Sequence, residues 1–193
     1  MRPVHIASMC PRAIALLLLL SGCAGLHPVV PDTARLPAGA LGSGFDPDVT
    51  AMNLAAWAFA DSSRTYGRPV DAARAAASLE YVAGEFYTSP RWANIDALTK
   101  EQLLQGRIEL RDALGVAPGA SSQQVVDGLT GAASALAAGN QAGAVLALSG
   151  PAFPLGGEQE LARLSNLPYM QMANVSTIKA VNELFEPNGT DRL

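Results

Sequence analysis

Between Pro28 and Leu193 the chain contains neither cysteine nor histidine. That absence removes whole classes of chemistry from the body of the protein. A structural zinc site takes Cys and His ligands, and catalytic zinc usually takes at least one His. Ser-His-Asp and Cys-His nucleophiles both need an imidazole. A disulfide within this stretch has no thiols to form it. Charge is also scarce: 16% of the 193 residues are charged, with 13 Lys+Arg against 17 Asp+Glu and a net charge of -4. No Lys/Arg cluster is present, which argues against a nucleic-acid partner. The low charge likewise argues against an acidic or basic disordered chain. Alternating β-branched runs are missing, so no strand is expected.

The first two dozen residues read as an address. Arg2 and Arg12 supply positive charge, and Ala13 to Leu20 form an uncharged apolar run. That run is shorter than the ~20 apolar residues a membrane-spanning helix requires. Small residues follow, as at a signal-peptidase site. The junction Leu20-Ser21-Gly22-Cys23 resembles the lipobox of bacterial lipoproteins, in which a Leu and two small residues precede an invariant Cys. The resemblance implies a signal peptide over 1–22, cleavage before Cys23, and diacylation of the Cys23 thiol. Acylation of the new amino group, commonly by palmitate, often follows. Two or three acyl chains anchor a protein where one does not. Ala24 follows the cysteine, and the absence of Asp there resembles the outer-membrane default. The mature chain is then expected in the periplasm, held to the membrane by lipid.

Residues 23–44 read as a flexible tether with Pro28, Pro31 and Pro37 and several glycines. Pro and Gly at this density favour an extended linker. A helical domain is expected over 45–187, with a short tail over 188–193. Asp46-Pro47 has the form of an N-cap followed by a proline at the first helical position. Pro69 opens a second, alanine-rich helix. Thr99 to Gln102 and Ser121 to Gln124 both have the capping-box form. Gly115 suits a left-handed helix stop. Asn140 caps a short helix, Glu158 and Glu160 begin another, and a last helix runs to about Phe185. The expected fold is all-α, a compact bundle of six or seven short helices.

No Asp, Glu, Lys, Arg or His occurs from Gly128 to Gly157. The favoured reading is a helical hairpin at the centre of the bundle, its alanines allowing close approach. The alternative is one wall of an apolar ligand site lined by Leu129, Leu136, Val145, Leu146 and Leu148.

Few residues offer themselves for chemistry. Glu80 and Glu85 share a helix but are turned about 140° apart, so they read as solvated charges rather than a catalytic pair. Arg107 and Arg111 lie four apart on one face, either to bind an anion or to pair with acids on a neighbouring helix. Arg91 and Trp92 belong to the densest polar-aromatic loop. Trp and Arg are favoured hot-spot residues, although Trp92 can equally plug the end of the bundle. No catalytic set, cofactor site or metal site is read from the sequence. The expectation is a non-enzymatic envelope adaptor or assembly factor. Its partners would be the membrane, through lipid on Cys23, and another envelope protein, with Arg91, Trp92, Arg107 and Arg111 as candidate interaction residues. A carrier or sensor of an apolar ligand is the second reading, and a cell-wall hydrolase the third.

Overall fold

In the computed structural model the described residues are 32–42 and 46–185. The lipobox, Cys23, much of the expected tether and the 188–193 tail lie outside them. The described residues form seven α-helices and no strand: α1 Pro47–Phe59, α2 Pro69–Thr88, α3 Ala97–Leu114, α4 Ser122–Ala137, α5 Gln141–Ala147, α6 Gly157–Ser165 and α7 Gln171–Phe185. None of these helices is long and apolar enough to cross a membrane.

Local chemistry sets most of the helix ends. Asp46 caps α1 by accepting from the Asp48 and Val49 amides, with Pro47 opening the helix. Ser121 and Gln124 close a reciprocal capping box on α4. Asn140 accepts from the Gly143 amide at 2.8 Å and caps α5. Gly115 stops α3 at φ 72°, a left-handed conformation that glycine adopts without steric cost. One expected cap is displaced. Asp96, not Thr99, caps α3, accepting from the Leu98 amide. Thr99 is instead buried, and its hydroxyl donates to Glu183 of α7 at 2.6 Å. A capping-box motif competes with any good cap just upstream, and here the upstream aspartate wins.

The centre of the bundle is α2. It packs against α1, α3, α4 and α6, while α7 closes over α1 and α3. From Ala75 to Gly84 every α2 residue is buried. Its alanines leave room for neighbours on all sides, because interaxial distance follows side-chain size. The uncharged 128–157 stretch does form a helical hairpin, α4–α5, but that hairpin lies to one side. Only the inner face of α4 packs on α2, and α5 packs on α4 and α6. Its tip, residues 137–142, faces solvent, and Leu146 near the far end of α5 is 75% exposed. Lack of charge therefore marks a neutral surface here as well as a core.

Candidate functional site

The strongest concentration of charge lies inside the bundle. Glu80, on the buried face of α2, is fully buried. Arg111 of α3 reaches it with two nitrogens, Nε to Oε2 at 3.0 Å and Nη2 to Oε1. The Ser122 hydroxyl donates to Glu80 Oε1 at 2.7 Å, and Arg111 Nη1 donates to the Ala120 carbonyl. The reading of Glu80 as a solvated charge is thus corrected. The 3.6 period gives the angle between two side chains but not how many neighbours surround their helix. Glu85, turned away as its spacing predicts, borders a surface depression with Thr33 and Arg35.

Arg107 lies one turn before Arg111 and is also buried. It donates to the Asp32 carbonyl at 2.8 Å and to Ser122 Oγ at 3.1 Å. Burial pushes its guanidinium pKa down, and the charges of Glu80 and Asp32 pull it back up. The Asp32 carboxylate accepts from the Ser122 amide at the first turn of α4, where the helix dipole favours negative charge. Glu80 thus pairs with Arg111, while Asp32, from the chain before α1, meets Arg107 through its carbonyl and the first turn of α4 through its carboxylate. Both arginines are committed to this internal cluster rather than to an external anion or partner.

That upstream chain is itself docked. Its backbone at Arg35 is clipped by Gln123, which accepts from the amide at 2.8 Å and donates to the carbonyl at 3.1 Å. Ala34 is buried. Gly84 faces the strand-like segment so closely that a Cβ there would overlap the Asp32 carbonyl and stand 3.1 Å from Thr33 Cα. Docked chain is therefore found at 32–36, within the stretch that reads as a tether. Residues 32–36 act as a strap across α2 and α4.

A second cluster closes the α1 end. Asp48 is buried and accepts from Tyr81 Oη at 2.5 Å, Trp92 Nε1 at 3.1 Å and Arg91 Nη1 at 2.9 Å. Burial, reinforced by the Asp48 bond, pushes the Tyr81 phenol far above its usual range. Arg91 also pairs with Asp46, whose carboxyl it holds below the ordinary value. Trp92 is buried, stacks on Phe86 at 4.6 Å, and carries the Arg91 guanidinium 4.4 Å above its ring. The Arg91-Trp92 loop is a plug that ties α1 to α2, and Trp92 offers no exposed face to a partner.

The residues expected to line an apolar site do not share one wall. Leu129 and Leu148 are in the core, and Leu146 faces solvent. Leu136 and Val145 border an open depression of about 520 Å³ with Pro69, Leu161 and Glu158. No group of three metal-ligating side chains is found among the described residues.

Three exposed aromatics lie elsewhere, apart from Tyr87 and Phe185, which are 37% and 62% exposed at the C-terminal ends of α2 and α7. Trp57, Tyr66 and Tyr169 are 45%, 64% and 57% exposed. They are held at one end of the bundle by a set of bonds. Arg64 donates to the Trp57 carbonyl and stands 5.2 Å over its ring. The Gly67 amide donates to Ser165, and Asn174 Nδ2 donates to Tyr169 Oη at 3.2 Å and to the Ala60 carbonyl. In sequence Trp57 stands beside the apolar face of its helix, Tyr66-Gly67 reads as a helix break and Tyr169 as part of a polar loop, so nothing local brings the three together. Asp32 reads with His27 as a pair too small for a metal site; Arg107 and Arg111 on one helix face are the signal that acids lie nearby.

Glu160 of α6 is a separate anomaly. It is buried, and neither carboxylate oxygen has a hydrogen-bond partner among the described residues. Desolvation raises its pKa, offset in part by the Arg163 charge and the nearby Leu155 amide. A raised folded-state value means that its contribution is most favourable below the ordinary carboxylate range. That contribution is lost as pH rises through the folded value. Glu160→Gln should therefore raise Tm at pH 7 by about 2–4 °C, a gain of ~1 kcal/mol. The gain should vanish near pH 4. Thermal melts across this range check it, and a gain that is constant with pH would refute the titration.

The buried cluster gives a second expectation. Glu80→Ala leaves Arg111 uncompensated and should cost about 3–5 kcal/mol in urea unfolding. The paired change Glu80→Leu, Arg111→Met should cost far less than the two single changes combined. Additive losses would show that the two charges act independently.

No family model, curated protein or solved structure matches the chain, so its functional reading rests on its own residues.

Proposed function

We propose that the protein is a lipid-anchored periplasmic protein whose helical domain is a non-enzymatic interaction module, an envelope adaptor or assembly factor. The membrane link rests on Leu20-Ser21-Gly22-Cys23, the outer membrane being favoured by Ala24. The observation that carries the interaction role is the exposed Trp57, Tyr66 and Tyr169 end with Arg64 beside it. Tyr, Trp and Arg are the residues enriched at protein interfaces, where large rigid rings give contact area at small entropic cost. Supporting this assignment, Glu80, Arg107 and Arg111 are used up inside the fold, and Trp92 is buried. The interaction surface therefore moves from the Arg91-Trp92 loop to the aromatic end.

Two measurements test the reading. Mass spectrometry of the mature N-terminal peptide should find acyl chains on Cys23. A photocrosslinking residue at Tyr66 or Tyr169, in living cells, should give one dominant protein adduct. That adduct should fall at least fivefold with Trp57→Ala, while the same probe at Lys100 gives none. Equal adducts at Tyr66 and Lys100 would sink the interface, and an unmodified Cys23 would sink the anchor.

A further inference from the structure

The strap changes what a lipid on Cys23 does to the domain. Nine peptide units separate Cys23 from the docked Asp32. At about 3.3–3.6 Å per residue their fully extended reach is roughly 30 Å. Without docking, the link would run 23 units to Asp46, and its reach would be roughly 80 Å.

The docking site also has a definite place on the molecule. Asp32 meets Gly84 in the C-terminal half of α2, together with Arg107 and the first turn of α4. The aromatic end lies beyond the opposite, N-terminal end of α2, past Pro69. Fifteen residues of helix separate Gly84 from Pro69, a distance of about 22 Å at 1.5 Å per residue. Resting on the anchor reading above, we infer that the docked strap holds the domain close to the bilayer with the Asp32 end of α2 toward it. The Trp57–Tyr66–Tyr169 end is then presented away from the membrane.

Three features make the strap a fixed part of the domain. Asp32 accepts from the buried Arg107 through its carbonyl and from the Ser122 amide through its carboxylate, so its departure leaves both donors without that partner. Gln123 reads the Arg35 backbone at both donor and acceptor. Gly84 sits within a helix, where glycine is less favourable than alanine, and its missing Cβ is what admits the Asp32 carbonyl.

Energy transfer on vesicles tests this directly. No cysteine follows Cys23 in the chain, so Gly119→Cys, near the strap, and Ser63→Cys, at the far end, each give a single label. The full chain is produced in a lipoprotein-processing bacterium. It is then placed on phosphatidylethanolamine–phosphatidylglycerol vesicles carrying a headgroup acceptor dye. The label at 119 should transfer at least twice as efficiently as that at 63. Gly84→Ala, which raises helix propensity while evicting the strap, should cut transfer from 119 roughly by half. Ala34→Glu should do the same and serves if Gly84→Ala fails to fold. Equal transfer from the two labels in the unaltered chain overturns the orientation, and undiminished transfer from 119 in the folded strap variants overturns the role of the strap. A chain with no acyl mass on Cys23 and no vesicle association fails at the anchor reading, and the inference falls with it.

Discussion

The bidentate contact between Arg111 and Glu80 is the constraint around which the bundle is assembled. It joins α2 to α3 at a fully buried carboxylate, reached by an Arg111 side chain that is itself mostly buried. An ion pair so placed adds little net stability, since desolvation offsets most of the attraction. What it adds is intolerance of error. Glu80 needs Arg111 and Ser122, Arg111 needs the Ala120 carbonyl, and Arg107 needs Asp32. Those partners come from α2, α3, the α3–α4 turn, α4 and the strap. A slip of any one of them leaves a buried charge or hydroxyl without a partner, at a cost of several kcal/mol. An alanine-rich helix such as α2 has little shape of its own with which to fix register, so polar groups take that role.

The same logic divides what was legible in the sequence from what was not. Helix ends are local events, and most could be read: Asp46-Pro47, Ser121 with Gln124, Asn140 and Gly115 all act as their chemistry predicts. Thr99 shows where this breaks down, because its hydroxyl is claimed by Glu183 from 84 positions away. No local pattern contains that partner. The all-α class was equally legible, since it follows from periodicity and from the absence of β-branched alternation.

Placement within the bundle was not legible, for a specific reason. Polar character was used as a guide to exposure, and α2 and α4–α5 both invert it. The α2 helix carries Glu80 yet is central, because two arginines and a serine receive that charge. The α4–α5 tip carries no charge yet is exposed, because alanine, asparagine and glutamine make a neutral surface without burial. Arg107 and Arg111 were recognised as a pair seeking anions, but the anions proved to be internal. One of them, Asp32, sat in a proline- and glycine-rich stretch where composition alone suggests only a linker.

The strap and the aromatic end are consequences of one arrangement. Asp32 is fixed where α2 ends its buried course and where α4 begins, its carbonyl accepting from Arg107 and its carboxylate from the Ser122 amide. The α1–α2 connection lies at the other end of α2, with no charge cluster to bury its side chains, and Trp57 and Tyr66 remain in solvent there. Burial of charge at one end and the Trp57–Tyr66–Tyr169 cluster at the other thus give the domain a polarity along α2. On the proposed anchor, a lipid joined through a short link would act on one pole and leave the other for the proposed partner to meet.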